Sequence, residues 1–204
     1  MPRLTVATLT GRHVSLEPLA LDHVDAIGLA GAGDRTTFGY TQVPDGPDQA
    51  TDYVRWLLDD AAHGGVVPFA QRRLTDGAIV GCTRFMHPMW PLGRGHPDEV
   101  EVGGTWLAAS AQRTAVNTEA TLLLLTHAFD SWDAQRVAIC TDARNTRSRR
   151  AIERLGAGLE GVLRRHRRST REGDGTRLRD TAVYAITVDD WPAVRAALVE
   201  RLDS

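Results

Sequence analysis

Two rhythms of apolar and polar positions run through this chain, one with the period of a strand and one with that of a helix. They are clearest between Glu99 and Gly156. Glu101 to Leu107 (EVGGTWL) reads as a strand and Ala108 to Ala115 as a short polar turn. Val116, Ala120, Leu123, Leu124, Ala128 and Trp132 then share about one stripe of a helix spanning Val116 to Trp132. Arg136 to Thr141 (RVAICT) is a short β-branched run, and Asn145 opens a second helix that stops at Gly156. Two strands joined through a helix of this length imply a parallel crossover. Such a crossover brings the N-terminus of the first helix to the end of the sheet. Its unpaired N–H groups make a ready site for an anion there.

The flanks continue the pattern. Arg12 to Leu19 alternates as a first strand, and Asp22 is placed to cap a short helix over His23 to Ala30. Arg35 to Pro47 reads as a loop with Phe38 and Tyr40. Asp48 to Ala62 carries Tyr53, Val54, Leu57, Leu58 and Ala61 at helical spacing. Val66 to Leu74 and Ala78 to Phe85 flank Asp76-Gly77, a strong hairpin-turn signal. Met86 to Pro97 is rich in Pro and Gly and is expected to leave the strand; its His87, Met89 and Trp90 could wall a pocket or cover the sheet edge. Leu159 to Arg168 and Arg177 to Val188 form a long hairpin whose tip, Thr170 to Thr176, is expected to be mobile. Asp190-Trp191-Pro192 starts a last helix that runs to Leu202.

Composition narrows the classes. The chain has 204 residues, 42% hydrophobic and 25% charged, which suits a single globular domain over residues 1–204. Its net charge of −2 provides no global field toward nucleic acid or membrane. Cys82 and Cys140 lie in apolar strand-like runs with no spacing for a disulfide framework or a CxxC site. The N-terminus lacks an apolar signal region, no apolar run approaches the ~20 residues of a membrane span, and the cytoplasm is the default location. The seven histidines show no metal-binding spacing, so no metal is expected.

Two segments carry a family resemblance. WLAASAQRTAVNTEA and ARNTRSRRAIERLGA resemble the two acyl-CoA-binding motifs of the GNAT N-acetyltransferases, most closely the branch of ribosomal-protein N-terminal acetyltransferases. The resemblance extends from about Leu9 to about Leu202. It implies an α+β fold: a central, mixed, mostly antiparallel twisted sheet of about seven strands flanked by helices, with the parallel strand-helix-strand crossover at its centre. It implies acetyl-CoA as acyl donor and an amine as acceptor. In the family, amides of an Arg/Gln-x-x-Gly-x-Gly/Ala turn hold the coenzyme pyrophosphate. Here that frame is Gln112, Arg113, Thr114, Ala115, Val116 and Asn117, with Ala115 and Asn117 in place of the glycines. The resemblance further implies that the edge of Thr105, Trp106 and Leu107 pairs with the pantetheine arm.

Acetyl transfer from a thioester needs an oriented amine, a proton acceptor and stabilised charge. Asn145 matches the asparagine that opens the second motif, where it contacts the coenzyme or simply caps its helix. Ser148 shares that first turn. The resemblance places a serine at this offset near the sulfur, where it protonates the departing thiolate; otherwise it is a solvent-facing first-turn serine. A family tyrosine seven residues after the asparagine is Ile152 here, and Tyr184 is a substitute acid or a packed sheet residue. Glu101 is the candidate base, with Glu99 behind it. Strand parity groups Glu101 with Gly103 and Thr105 on one face, and a base would need burial to raise its pKa. The plainer alternative for Glu101 is a solvated strand end, or a partner for an arginine such as Arg84.

Arg164, Arg165, Arg167 and Arg168, with His166, read either as recognition of an acidic acceptor or of a phosphate, or as a solvated, charge-protected edge. The leading function is acetyl-CoA-dependent N-acetylation of a primary amine, either a protein N-terminus or a small molecule, by direct attack with general-base help. The alternatives are a non-catalytic acyl-CoA-binding or sensing domain and, last, an Arg-rich nucleic-acid module. The sequence leaves the acceptor open, and a homodimer is compatible with it.

Overall fold

The computed structural model describes residues 4–171 and 173–204; Glu172, in the tip expected to be mobile, and the first three residues lie outside them. Eight strands form one sheet: β1 (Leu9–Thr10), β2 (Val14–Pro18), β3 (Val66–Arg73), β4 (Ile79–Met89), β5 (Glu99–Leu107), β6 (Arg136–Asp142), β7 (Gly158–Arg168) and β8 (Leu178–Thr187). Their spatial order is β1-β2-β3-β4-β5-β6-β8-β7, and all neighbours are antiparallel except β5 and β6. The eighth strand, beyond the seven legible in the sequence, is the two-residue β1. The helices are α1 (Val24–Gly31), α2 (Gly46–Ala62), α3 (Ala115–Thr126), α4 (Thr146–Arg154) and α5 (Trp191–Asp203).

The two faces of the sheet bury different sets. On one face α3, α4 and α5 supply Val116, Ala120, Leu124, Ile152, Trp191 and Leu198 against Val100, Val102 and Tyr184. On the other, α1 and α2 lay Ile27, Tyr53, Val54 and Leu57 on Ala70, Cys82 and Trp106. That second layer lies over β3, β4 and the end of β5.

α3 is fixed at its first turns by a buried carboxylate. Glu119 accepts from the amides of Arg12 (2.7 Å), His13 (2.6 Å) and Val14 (2.8 Å), three donors at the start of β2. Gly11 is required beside it, because a Cβ there would lie 2.3 Å from the Glu119 carboxyl carbon.

Three expectations are corrected. β4 does not end at Phe85 but continues through Pro88 to Met89, with one extra residue opposite β5 and His87 at φ +49. An outward kink at this bulge is what lets the strand absorb the proline. The helix expected to reach Trp132 ends at Thr126 and widens into a π-type turn over His127–Ser131. Asp22 does not cap α1; it sits in a 3-10 turn over Leu21–His23, where His23 Nδ1 accepts from Ala20 N at 3.1 Å.

Candidate active site

The parallel pair is short. β5 and β6 are matched only at Glu99–Arg136, Val100–Val137 and Glu101–Ala138, although β5 runs on to Leu107 and β6 to Asp142. Beyond Glu101 the strands part, and the β5 edge facing β6 has no ladder partner among the described residues. Such an edge can pair with an extended, amide-bearing chain. A one-residue bulge within it is set by Gly104. Its φ of +58 favours glycine, and a Cβ there would fall 2.4 Å from the Arg84 guanidinium carbon.

The bulge corrects the parity argument. Glu101 and Gly103 lie with Arg84 and Met86 on the α1–α2 face. Thr105 is turned to the opposite face, where its Oγ1 meets Thr83 Oγ1 at 2.8 Å. Trp106 is buried under α2 and donates from Nε1 to Tyr53 Oη at 3.2 Å; Leu107 is buried, and its carbonyl accepts from Gln112. These three residues therefore offer a ligand their backbone.

Two helix N-termini converge on the open end. Thr114 caps α3, its Oγ1 accepting from Val116 N at 3.3 Å. Arg113 before it is exposed at φ +61, Ala115 opens the helix, Val116 is buried, and Asn117 is half-buried with its carbonyl accepting from Thr121. Asn145 caps α4 by accepting from Ser148 N at 3.0 Å, while Ser148 Oγ engages no other group among the described residues. The Gln112 side chain joins the two motifs. Its Nε2 donates to Leu107 O and Thr37 Oγ1, both at 2.8 Å, and its Oε1 accepts from Arg147 at 2.6 Å. Free first-turn amides beside Arg113 and Arg147 suit a phosphate group.

Glu101 sits where the strands part. It is 5% exposed and accepts from Arg167 through both oxygens (3.0 and 2.8 Å) and from His87 Nδ1 (3.0 Å). Burial would raise its pKa, but the hydrogen bonds from His87 and Arg167 and the Arg167 charge outweigh that and hold it at about 2. The raised pKa expected of a base is thus absent, and the partner is Arg167 rather than Arg84. Arg84 instead lies over the Trp56 ring at 5.3 Å. Glu99 is ion-paired to Arg136. Tyr184 is buried, its hydroxyl accepting from Arg149 and donating to Glu153 of α4. The Cys140 thiol beside Glu101 is pushed up to about 12, chiefly by burial, which excludes a thiolate.

Around Glu101 is a pocket of about 180 Å³ lined by His87, Glu99, Cys140, Leu163, His166 and Arg167 among others. Arg167 reaches it because β7 carries two extra residues opposite β8 between Leu163 and Arg167, with Arg165 at φ +46. The reading of the arginine run as wholly solvated therefore fails for Arg167. Above the open end, Arg144 and Arg171 lie over the Tyr40 ring at 5.9 and 5.6 Å. Arg144 also pairs with Asp142 and with Asp174 of the hairpin tip, and Thr170 donates to Tyr40 O at 2.7 Å. These contacts tie the 35–47 loop to the described residues of the tip and to Arg144 after β6.

Three residues escaped sequence reasoning: Arg147, the orienting role of His87, and the inward turn of Arg167. His87 had a weak signal, the following proline. Arg147 and Arg167 had none, since bulges and side-chain bridges leave no periodicity.

Comparison with known proteins agrees with this geometry. Residues 13–158 match the acetyltransferase (GNAT) domain family. The chain is 33% identical over 91 residues to Bacillus subtilis (strain 168) YdaF, which bears the name of a ribosomal N-acetyltransferase; the match spans 45% of this chain and 46% of YdaF, about half of each. A GCN5-related N-acetyltransferase from Brucella melitensis superposes with a TM-score of 0.85 at 25% identity, covering 98% of this chain and 87% of that one. Mycobacterium smegmatis RimJ, solved with CoA-disulfide, shares the fold at a TM-score of 0.73 and 23% identity over 92% and 88% of the two chains. A sheet parted beside two converging helix N-termini, together with a family match over most of its length, places this chain in the GNAT family of acetyltransferases.

Proposed function

We propose that this chain moves an acetyl group from acetyl-CoA to a primary amine, as the names and bound ligand of its relatives suggest for them. The observation that carries the reading is the parting of β5 from β6 after Glu101, with an unpaired strand edge on one side and two helix N-termini at its end. The α3 amides from Ala115 onward, with Arg113 and Arg147, hold the pyrophosphate, and the helix dipoles add to their attraction. Ala115 leaves this approach open because it carries only a methyl group. The backbone of Thr105, Trp106 and Leu107 orders the pantetheine amides, and Asn145 holds the α4 turn that presents Ser148. The Ser148 hydroxyl donates to the departing sulfur.

The proton leaves the amine through Glu101 and His87 acting together. At about 2 the Glu101 carboxylate is always ionised but weakly basic, so it works best as the acceptor that orients the exposed His87 ring.

The test is calorimetric titration with acetyl-CoA, followed by thiol release against a panel of amines. Saturable binding and amine-dependent thiol release are expected. Binding without release for any amine would instead assign a non-catalytic acyl-CoA-binding domain, and absence of binding would reject both.

A further inference from the structure

The sheet face that carries Glu101 also holds, on β8, a cation and a hydroxyl without partners among the described residues. Arg179 on β8 stands directly opposite Arg167 on β7, and residues so paired project from the same face. Thr181, two residues further along β8, projects there too and pairs with Asp142 of β6. Two arginines side by side repel. The Arg167 charge is matched by Glu101, whereas Arg179 has no ion pair among the described residues. Among the described residues its Nε is buried without an acceptor, and the wholly buried Thr181 Oγ1 also lacks a partner.

The nearby carboxylates are already engaged. Glu101 is taken by Arg167 and His87. Asp142 accepts three hydrogen bonds from Arg144, and Asp174 accepts from Arg144 and Ser169. Buried polar atoms without partners are uncommon and destabilising, so two on one face beside a cleft point to a group supplied from outside. A guanidinium and a hydroxyl together suit an oxyanion.

Resting on the acetyl-transfer reading, we propose that Arg179 and Thr181 form a subsite for an anion carried by the acceptor, so that the preferred amine bears a carboxylate or phosphate group. Burial and the Arg167 charge both press the Arg179 pKa downward, and an arriving anion relieves that strain.

Calorimetry on the CoA-saturated protein with matched ligands tests this without needing turnover. The pairs are L-leucine against L-leucinamide and 3-aminopropylphosphonate against propylamine. Wild type should bind at least one anionic member about 10-fold or more tighter than its neutral partner, and the two pairs distinguish carboxylate from phosphate. Arg179→Gln should reduce the preference to under about 3-fold, Arg179→Lys should keep part of it, and the near-isosteric Thr181→Val should weaken it with the fold intact. Equal binding of both members by wild type overturns the proposal, as does a preference that survives Arg179→Gln. Loss of acetyl-CoA affinity matching the loss of amine affinity also overturns it, since the site would then serve the coenzyme. Failure of the acetyl-transfer reading shows separately, as no thiol release with any amine.

Discussion

Replacing Glu101 with Gln removes the buried carboxylate at the point where the sheet parts while keeping its shape. The wild-type carboxyl moves from its ordinary 4.5 to about 2 because, despite burial, Arg167 and His87 bind the charged form. Each unit is worth about 1.4 kcal/mol, so the ionised form contributes about 3 kcal/mol to folding. Little of this is screened, since the side chain is 6% exposed. The sign follows from a depressed folded pKa. The stabilisation is complete above the unfolded value near 4.5 and is lost as pH falls toward about 2.

Urea unfolding followed by tryptophan fluorescence, run from pH 5.5 to pH 3, measures this. The series starts below the usual histidine range. Wild type should be the more stable protein at pH 5.5, and its advantage over Glu101→Gln should shrink by about 2 kcal/mol by pH 3. Glu17 and Asp174, also held at about 2, are present in both proteins and cancel in the difference. A wild-type advantage that stays constant across the series would refute the buried ion pair, and with it the role given to Glu101 in orienting His87.

Ala115→Asp sets a carboxylate against the first-turn amides of α3 and should abolish acetyl-CoA binding in calorimetry while the melting temperature holds; retained affinity would place the pyrophosphate elsewhere. Ser148→Ala should lower kcat ~100-fold in the thiol-release assay with coenzyme affinity retained. A loss confined to thermal stability would reduce Ser148 to a helix residue. Glu119→Ala leaves three amides at the start of β2 without their acceptor and should cost about 3–5 kcal/mol, seen as a melting temperature lower by roughly 10 °C. A shift of under about 2 °C would show that water replaces the carboxylate.

What the sequence disclosed and what it concealed divide along a physical line. Strand and helix identity depends on local period and on turn chemistry, so the β5–α3–β6 crossover, the Asp76-Gly77 hairpin and the Asn145 cap were legible. The facing of a side chain depends on an unbroken count of residues, and a single bulge resets that count. One residue inserted at Gly104 sends Thr105 away from Glu101, one at His87 turns an imidazole onto the carboxylate, and two between Leu163 and Arg167 swing a presumed surface arginine into the same pocket. The last two of these irregularities meet at Glu101. In regular strands the parity rule would have left its burial uncompensated and its pKa raised. The bulges bring Arg167 and His87 to it instead, so the features the sequence could not show are those that decide the protonation state of the candidate site.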